Sequence, residues 1–542
     1  MLLNIFNNNF KKIKNHNKSH FPNQTDNKEK KIILVEFNNF TANHIGLSYL
    51  SNILKKKYDS KIIAYFGHIL LTYDLERNFY TRVKIKIGKL LNLNFFGVYK
   101  SFGVSDFFYP QTSNKIIFLK EKVYKKFQKQ VKTLKDLELF KISGVQVGDL
   151  LYDTYLKKNY HLIPTIELDD KKFIEFAKNF ITLFLIWEDF FKKNYVKAVI
   201  GSHSVYSLAI PLRIALKKKK DAYVLSPQYL RKLNKNMIYQ SGETRYFKKI
   251  FKKIDYVNKK ILIKDAKKRI KTRLEGKYST DYPYVTKSPF GSLGKKIFLK
   301  NKKKIKVLIA THDFFDGAHA CGIHLFPDYY HWFKFLCEMS KKTDYEWYVK
   351  THPLYGKEWG RYVKYERYVV KNILKDFKDI KLLPSSITHN QIIEEKIDAV
   401  FTVHGTIAHE FALHNILTIN SSLNNPHINY DFTLHPKSQA MLKEIILNIK
   451  KYKSKLNIDK KEIIEFYSLK NIFFSKNWFL ENYSKTIKDL GYHGLEGGKI
   501  EFYNYWIKNF DINKHKKLNE DIINFVNSKN LYLLNNNGLG KF

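Results

Sequence analysis

Residues 398–420 read DAVFTVHGTIAHEFALHNILTIN, and this stretch decides the fold. Asp398 to Val403 is a short apolar run rich in β-branched and aromatic residues, expected as a buried strand. Thr406 to His414 is expected as a helix and Ile416 to Ile419 as the next strand. Strand, loop, helix and strand in this order form a right-handed crossover, which makes the two strands parallel.

The alternation continues upstream. IKVLIA from Ile305, Tyr345 to Lys350, and Ile380 to Leu383 are expected strands; Tyr329 to Lys341, Tyr362 to Phe377 and His389 to Glu395 are expected helices. The result is a doubly wound parallel sheet. The first half starts the same way, with the strand KIILVEF from Lys31, a helix from Ile45 to Lys57 and a strand from Lys61 to Phe66. A lysine-rich stretch from Thr81 to Phe140 shows no single period. Beyond it come an aromatic-rich helix from Lys172 to Lys193, the strand VKAVIGS, a helix after His203 and a short strand from Ala222 to Leu225.

Five segments follow from this pattern: a disordered polar tail, 1–30; an N-terminal Rossmann-like acceptor domain, 31–265; a hinge, 266–304, punctuated by Gly, Pro and Ser; a C-terminal Rossmann-like nucleotide-sugar-binding domain, 305–450; and a helical extension, 451–542. A basic helix from Ile261 to Arg273 leads into the hinge, and in the extension Tyr503, Trp506 and Phe510 offer an apolar face. The expected fold class is α/β, with two Rossmann-like domains facing a cleft and helices at the C-terminal side.

Composition narrows the classes of function. The 542 residues include 44% hydrophobic and 27% charged side chains, ordinary globular usage, so wholesale disorder is excluded. Lys and Arg total 96 against 50 Asp and Glu, a formal net charge of +46. Nucleic acid, an anionic membrane surface and phosphorylated sugars are the partners such a charge suits. Lysine is spread over nearly every polar segment and no nucleic-acid motif is present, so nucleic acid is not expected as a partner. Cys321 and Cys337 alone cannot make a disulfide framework and lack zinc spacing, so a reducing cytoplasm fits. No metal or other cofactor is expected, because a helix start and basic residues can neutralise a donor's charge. The start of the chain lacks the apolar core of a signal peptide. The richest apolar run, Phe180 to Trp187, is less than half of the roughly 20 residues that span a bilayer. Attachment to the inner face of a membrane is the most that these features suggest.

Three polar clusters fall at expected strand ends in the second domain, where an open α/β sheet binds its ligand. THDFFDGAHACG holds His312, Asp313, Asp316 and His319; KTHP holds Lys350, His352 and Pro353; HGTIAHE holds His404, Gly405, Thr406 and Glu410. Free amides at the Thr406 helix start suit a phosphate, with Gly405 permitting close approach. Lys350 and His352 would add positive charge and a donor for a nucleotide leaving group, and Glu410 would accept from ribose hydroxyls. Asp313 and Asp316 are base candidates, as is His44 in the Asn38 to His44 loop, although a hydrogen-bonded structural histidine is the slightly favoured reading there. His203, Tyr206 and Arg213 are the expected acceptor side.

THDFFD, PDYYHW, YEWYVKTHP and DAVFTVHGTIAHEFALHNILTIN together resemble the nucleotide-binding half of bacterial capsule and surface-polysaccharide glycosyltransferases of the two-Rossmann GT-B type. The resemblance covers roughly residues 305–425, with weaker echoes in ISGVQVGDLLYDTYL and GSHSVYSLAIPLRIAL. It implies that His352, Pro353, Gly405 and Thr406 hold a donor's phosphates and that Glu410 contacts its ribose. Asn415 departs from the glycine that many relatives carry there in a Gly-x-Pro turn.

The expected function is therefore a metal-independent transfer of a sugar from a nucleotide-sugar donor to a glycan or lipid-linked glycan acceptor. An epimerase or hydrolase of sugar nucleotides on the same scaffold is the alternative.

Overall fold

A computed structural model describes residues 7–21, 30–66, 79–159, 164–277, 288–291, 297–299, 303–352, 356–474, 478–480, 483, 486, 489–490 and 499–533. The first-half strands are β1 (Lys31–Phe37), β2 (Lys61–Phe66), β3 (Val104–Phe108), β4 (Lys141–Ile142), β5 (Val145–Gln146), β6 (Tyr195–Gly201), β7 (Asp221–Ser226) and β8 (Tyr229–Lys232). The second half adds β9 (Lys306–Ala310), β10 (Glu346–Lys350), β11 (Lys381–Leu382), β12 (Ala399–Thr402) and β13 (Leu417–Asn420).

Two large sheets result, ordered β3-β2-β1-β6-β7-β8 and β11-β10-β9-β12-β13, and β4 and β5 form a separate antiparallel hairpin. Within the two large sheets every pairing is parallel except β7 with β8 at one edge. The protein thus has the two Rossmann-like domains that the alternation predicts. The central strands are mostly apolar because helices cover both faces, with Glu36 in β1 a buried exception. Each sheet reverses winding once, between β1 and β6 and between β9 and β12. Crevices for ligands open at the carboxyl ends of the strands at such points.

Three segments differ from expectation. Within the stretch read as a disordered tail, Asn8–His20 is a helix whose Phe10, Ile13 and Asn17 are buried. Those three residues recur at helical spacing, a stripe masked by the surrounding asparagines. Phe10 packs its ring 5.4 Å from Phe95 and 6.2 Å from Tyr503. Secondly, the helix Tyr256–Leu274 runs unbroken across the boundary drawn between 265 and 266.

The extension, thirdly, is not one appendage. Lys460–Ser468 and the π-helical turn Leu469–Phe473 pack with Phe247, Leu262 and Ile270 in a core of their own. Trp478, Phe502, Tyr503, Ile522 and Phe525 belong instead to the core of the first domain. Lys232 N–H donates to Leu531 O at 2.8 Å and Leu533 N–H to Leu230 O at 2.9 Å, so the chain returns to add a rung beside β8. Gly46 is needed for this return, since a Cβ there would stand 2.6 Å from the Trp478 ring.

Candidate active site

After β9 the chain alternates in function. Phe314 and Phe315 are buried in the core, while His312, Asp313 and Asp316 between them stay partly open. His312 reaches the end of β12: its Nε2 accepts from Val403 N–H at 3.2 Å and lies 3.0 Å from Thr402 Oγ1. An amide donating to Nε2 leaves the ring proton on Nδ1. Burial, with His404 and His352 nearby, holds His312 well below the ordinary histidine range, so the ring is neutral and Nδ1–H is a donor.

His404, Gly405 and Thr406 are partly open in an otherwise buried run. Gly405 passes so close over Thr402 that a Cβ would meet Thr402 Oγ1 at 2.7 Å. Thr406 makes no side-chain cap with the six-residue helix Ile407–Ala412. The His312 ring stacks on Tyr329 and meets His404 at a tilt, 4.5 Å between ring centres, and Tyr329 Oη is 2.8 Å from His404 Nε2. Asn415, at φ 56°, ends that helix in the left-handed region, which glycine favours and asparagine tolerates.

His352 is partly open, and its N–H donates to Glu366 Oε1 at 3.3 Å. Glu366 also accepts from Thr311 Oγ1 at 2.5 Å, and burial pushes its carboxyl up to about 8. Lys350 is buried, which lowers its ammonium to about 8 against the pull of Glu366 and Glu410, so it does not present an open charge to the crevice. Pro353 lies outside the described residues.

Glu410 corrects the ribose expectation. It is buried, and its Oε1 accepts from Arg273 Nε at 2.8 Å and Nη2 at 2.5 Å; His389 Nδ1 lies 3.1 Å from Oε2. Although burial opposes the charge, Arg273 and His389 hold the carboxyl well below its usual range. The pair anchors the end of the helix Tyr256–Leu274 on the second domain, and breaking such a buried pair is costly.

Across the cleft, the switch point of the first sheet carries a relay that the sequence reading missed. Glu36, next to last in β1, is buried and accepts from Ser202 N–H at 2.5 Å and from Ser202 Oγ at 2.8 and 2.9 Å. Ser202 Oγ lies 2.9 Å from His203 Nδ1. Because the serine proton is given to the carboxylate, Oγ accepts from Nδ1–H, and Nε2 keeps a lone pair. His203 is exposed between buried Ser202 and Ser204. Desolvation of the ring in the crevice lowers its proton affinity, while Glu36 and Asp316 partly restore it.

Asp316 closes the crevice from the second domain. Its Oδ1 accepts from Lys157 Nζ at 2.8 Å and Tyr206 Oη at 2.5 Å, both of the first domain. Burial disfavours its charge, but Lys157 and Tyr206 outweigh that and hold it below its ordinary value. Asp313 accepts from Phe315 N–H at 3.0 Å and is within the influence of Lys157, but burial and the neighbouring Asp316 outweigh both and push it up to about 6, a range suited to moving protons near neutrality. Tyr206 adopts φ 59°, a conformation costly for a tyrosine and maintained only when its surroundings fix it.

The helix Gly148–Lys158 forms the seam between the domains. Tyr152 donates to Asp328 Oδ2 at 2.6 Å, and Asp153 Oδ1 is 2.7 Å from His319 Nδ1. Burial alone would neutralise His319, yet Asp153 and Glu138 raise it to about 9.

Two expected site residues are structural instead. His44 is buried in the helix Thr41–Tyr58, with Nε2 3.0 Å from Asn38 O and Nδ1 2.5 Å from Tyr503 Oη; burial lowers it to about 4. Both nitrogens are occupied, so it cannot serve as the base. Arg213 forks onto Asp149 with two contacts of 2.6 Å and donates to Gln146 O, which ties the β4–β5 hairpin to its domain rather than facing an acceptor.

No family model and no curated protein matches the chain. Several solved structures align with it over most of their length. They include a glycosyltransferase from Rickettsia africae ESF-5 (12% identity, covering 89% of this chain and 100% of that one, TM-score 0.26). A UDP-GlcNAc 2-epimerase from Neisseria meningitidis bound to UDP-GlcNAc aligns at 9% identity over 85% and 98%, TM-score 0.19. The UDP-GlcNAc 2-epimerase of Methanocaldococcus jannaschii aligns at 12% identity over 85% and 99%, TM-score 0.20.

Proposed function

We propose that the protein is a glycosyltransferase that moves a sugar from a nucleotide-activated donor to a hydroxyl of a capsule or other surface polysaccharide. The supporting observation is the opposed state of two histidines: His203 offers a lone pair from the first sheet, and His312 offers an N–H donor from the second.

An acceptor hydroxyl entering from the first domain gives its proton to His203 Nε2 as its oxygen bonds to the anomeric carbon of the donor sugar. The bond from that carbon to the phosphate oxygen breaks, and the electron pair leaves with the nucleotide. His312 Nδ1–H, His352 and the Thr406 hydroxyl stand where the departing phosphate gathers charge, which is where fixed donors contribute most. Asp316, held by Lys157 and Tyr206, keeps the two crevices in register, and Asp313 supplies a second group able to exchange a proton.

A melting-temperature screen across nucleoside mono- and diphosphates tests the donor half, since a ligand of the native state raises it. One nucleotide is expected to stabilise the protein, and absence of any shift would refute the donor site. Incubation with the matching sugar nucleotide alone tests the reaction. Epimerised sugar formed without acceptor would refute transfer as the main activity.

A further inference from the structure

The π-helical turn Leu469–Phe473 holds a lysine at the boundary of the two domains. Phe474 N–H donates to Leu469 O at 2.9 Å, so the turn carries one residue more than an α-helix would, an irregularity frequent at functional sites. Leu469, Asn471, Ile472 and Phe473 are buried, whereas Lys470 keeps 27% of its side chain exposed. Its Nζ donates to Ser241 Oγ at 2.8 Å and lies 3.4 Å from Glu243 Oε1. Ser241 adopts φ 57°, a left-handed conformation that a serine keeps only where its surroundings fix it.

The charges at this point do not balance. Glu243 is buried and accepts from Tyr532 Oη at 2.6 Å. Burial opposes its charge, but Lys470, Arg231 and Tyr532 hold it below the usual range. Arg231 is buried too, and its hydrogen bonds go to neutral groups: Nη2 donates to Ser204 Oγ at 2.7 Å and Nη1 to Tyr239 O at 3.1 Å. Among the described residues Glu243 is the one carboxylate beside either cation, so two positive charges share one negative charge. A surplus charge withdrawn from water is costly until an anion completes it.

The surplus lies between the two crevices. Ser204, which holds Arg231, directly follows His203. On the other side Phe466 and Tyr467 place their rings 5.4 and 6.3 Å from His409, so the helix Lys460–Ser468 packs against the helix Ile407–Ala412. Lys470, three residues beyond Tyr467, comes within electrostatic reach of His404, whose ring burial already holds down at about 4. Gln240 N–H donates to Ala320 O at 2.8 Å, which ties the Ser241 turn to the loop after β9. A compact ammonium in this place suits a phosphate oxygen.

We propose that Lys470 is the open cation of an anion site at the domain boundary and receives a phosphate group of a substrate seated between His203 and His404. As a substrate site it rests on the transfer reading, and the phosphate belongs to the donor nucleotide or to the acceptor.

Calorimetric titration of the full chain with pyrophosphate tests the site without presuming a reaction. The wild type is expected to bind. Lys470→Gln should bind at least about tenfold more weakly, through loss of a charge-assisted hydrogen bond, while Lys470→Arg should keep most of the affinity. Glu243→Gln retains an acceptor for Tyr532 and removes the counter-charge, so it should bind more tightly, a change of sign that a structural role would not give. No binding by the wild type, equal binding by Lys470→Gln, or weaker binding by Glu243→Gln overturns the proposal. In Lys470→Gln, a nucleoside diphosphate affinity that falls while nucleoside affinity holds assigns the phosphate to the donor. An acceptor KM that rises while nucleotide affinity holds assigns it to the acceptor, and a change in neither overturns the proposal. A wild type that binds pyrophosphate through Lys470, yet binds no nucleotide and transfers no sugar, removes the proposed function and leaves the anion site standing.

Discussion

The switch point between β1 and β6 and the one between β9 and β12 are made from the same backbone device, and each displays a histidine. At the first, a buried carboxylate accepts the hydrogen bond of Ser202 O–H, so Ser202 Oγ accepts from His203 Nδ1–H and Nε2 is left basic. At the second, Val403 N–H donates to His312 Nε2, so Nδ1 carries the proton. The fold supplies the position, and the neighbour of each ring decides whether it receives a proton or donates a hydrogen bond. Division of labour between the crevices can be tested by disabling them one at a time.

The largest effect is expected from His203→Ala. Loss of a general base costs about 10²–10⁴-fold in rate. Nucleotide-induced stabilisation should persist, since the second crevice is untouched. Equal losses of rate and nucleotide binding in this variant would break the comparison.

His312→Ala should do the reverse. Loss of a hydrogen bond to a charged phosphate weakens nucleotide affinity by roughly 10–100-fold, as calorimetry would read. An unchanged affinity would remove His312 from the donor crevice.

Glu36→Gln should act through pH. Glu36 raises the proton affinity of His203 against the effect of burial, so its neutralisation should lower that affinity. The acid limb of the rate profile, already expected below the ordinary histidine value of 6.5, should move further down, with a rate loss of about tenfold from the freed tautomer. A profile unchanged in position would show that His203 is not the titrating group.

Legibility differed between the crevices for a physical reason. His312, His352, His404 and Gly405 come from loops directly after strands of one domain, so period and loop position suffice to group them. Glu36 and Ser202 stand 166 positions apart, and only the register of β1 with β6 joins them. The visible signal was an acid within KIILVEF, an apolar strand. His44 was misjudged because its two partners, Asn38 O and the distant Tyr503, are set by tertiary packing. Glu410 was misjudged similarly, as Arg273 reaches it from a helix of the other half. The Asn8–His20 helix was obscured because polar composition outweighed a stripe of only three inward positions.

What holds the crevices opposite each other should itself titrate. His319 gains Asp153 and Glu138 on folding and is raised to about 9 from an unfolded value of 6.5. A group raised in this way contributes fully below the unfolded value and loses its contribution as pH rises through the folded one. Burial raises the carboxyls of Asp153 and Glu138 in the same cluster, which offsets part of that contribution. Melting temperatures of wild type and His319→Gln should therefore differ most below about pH 6.5 and converge above about pH 9. A difference that grew with pH would mean that the seam is neutral, and the alignment of the two crevices would then rest on Lys157, Tyr206 and Asp316 instead.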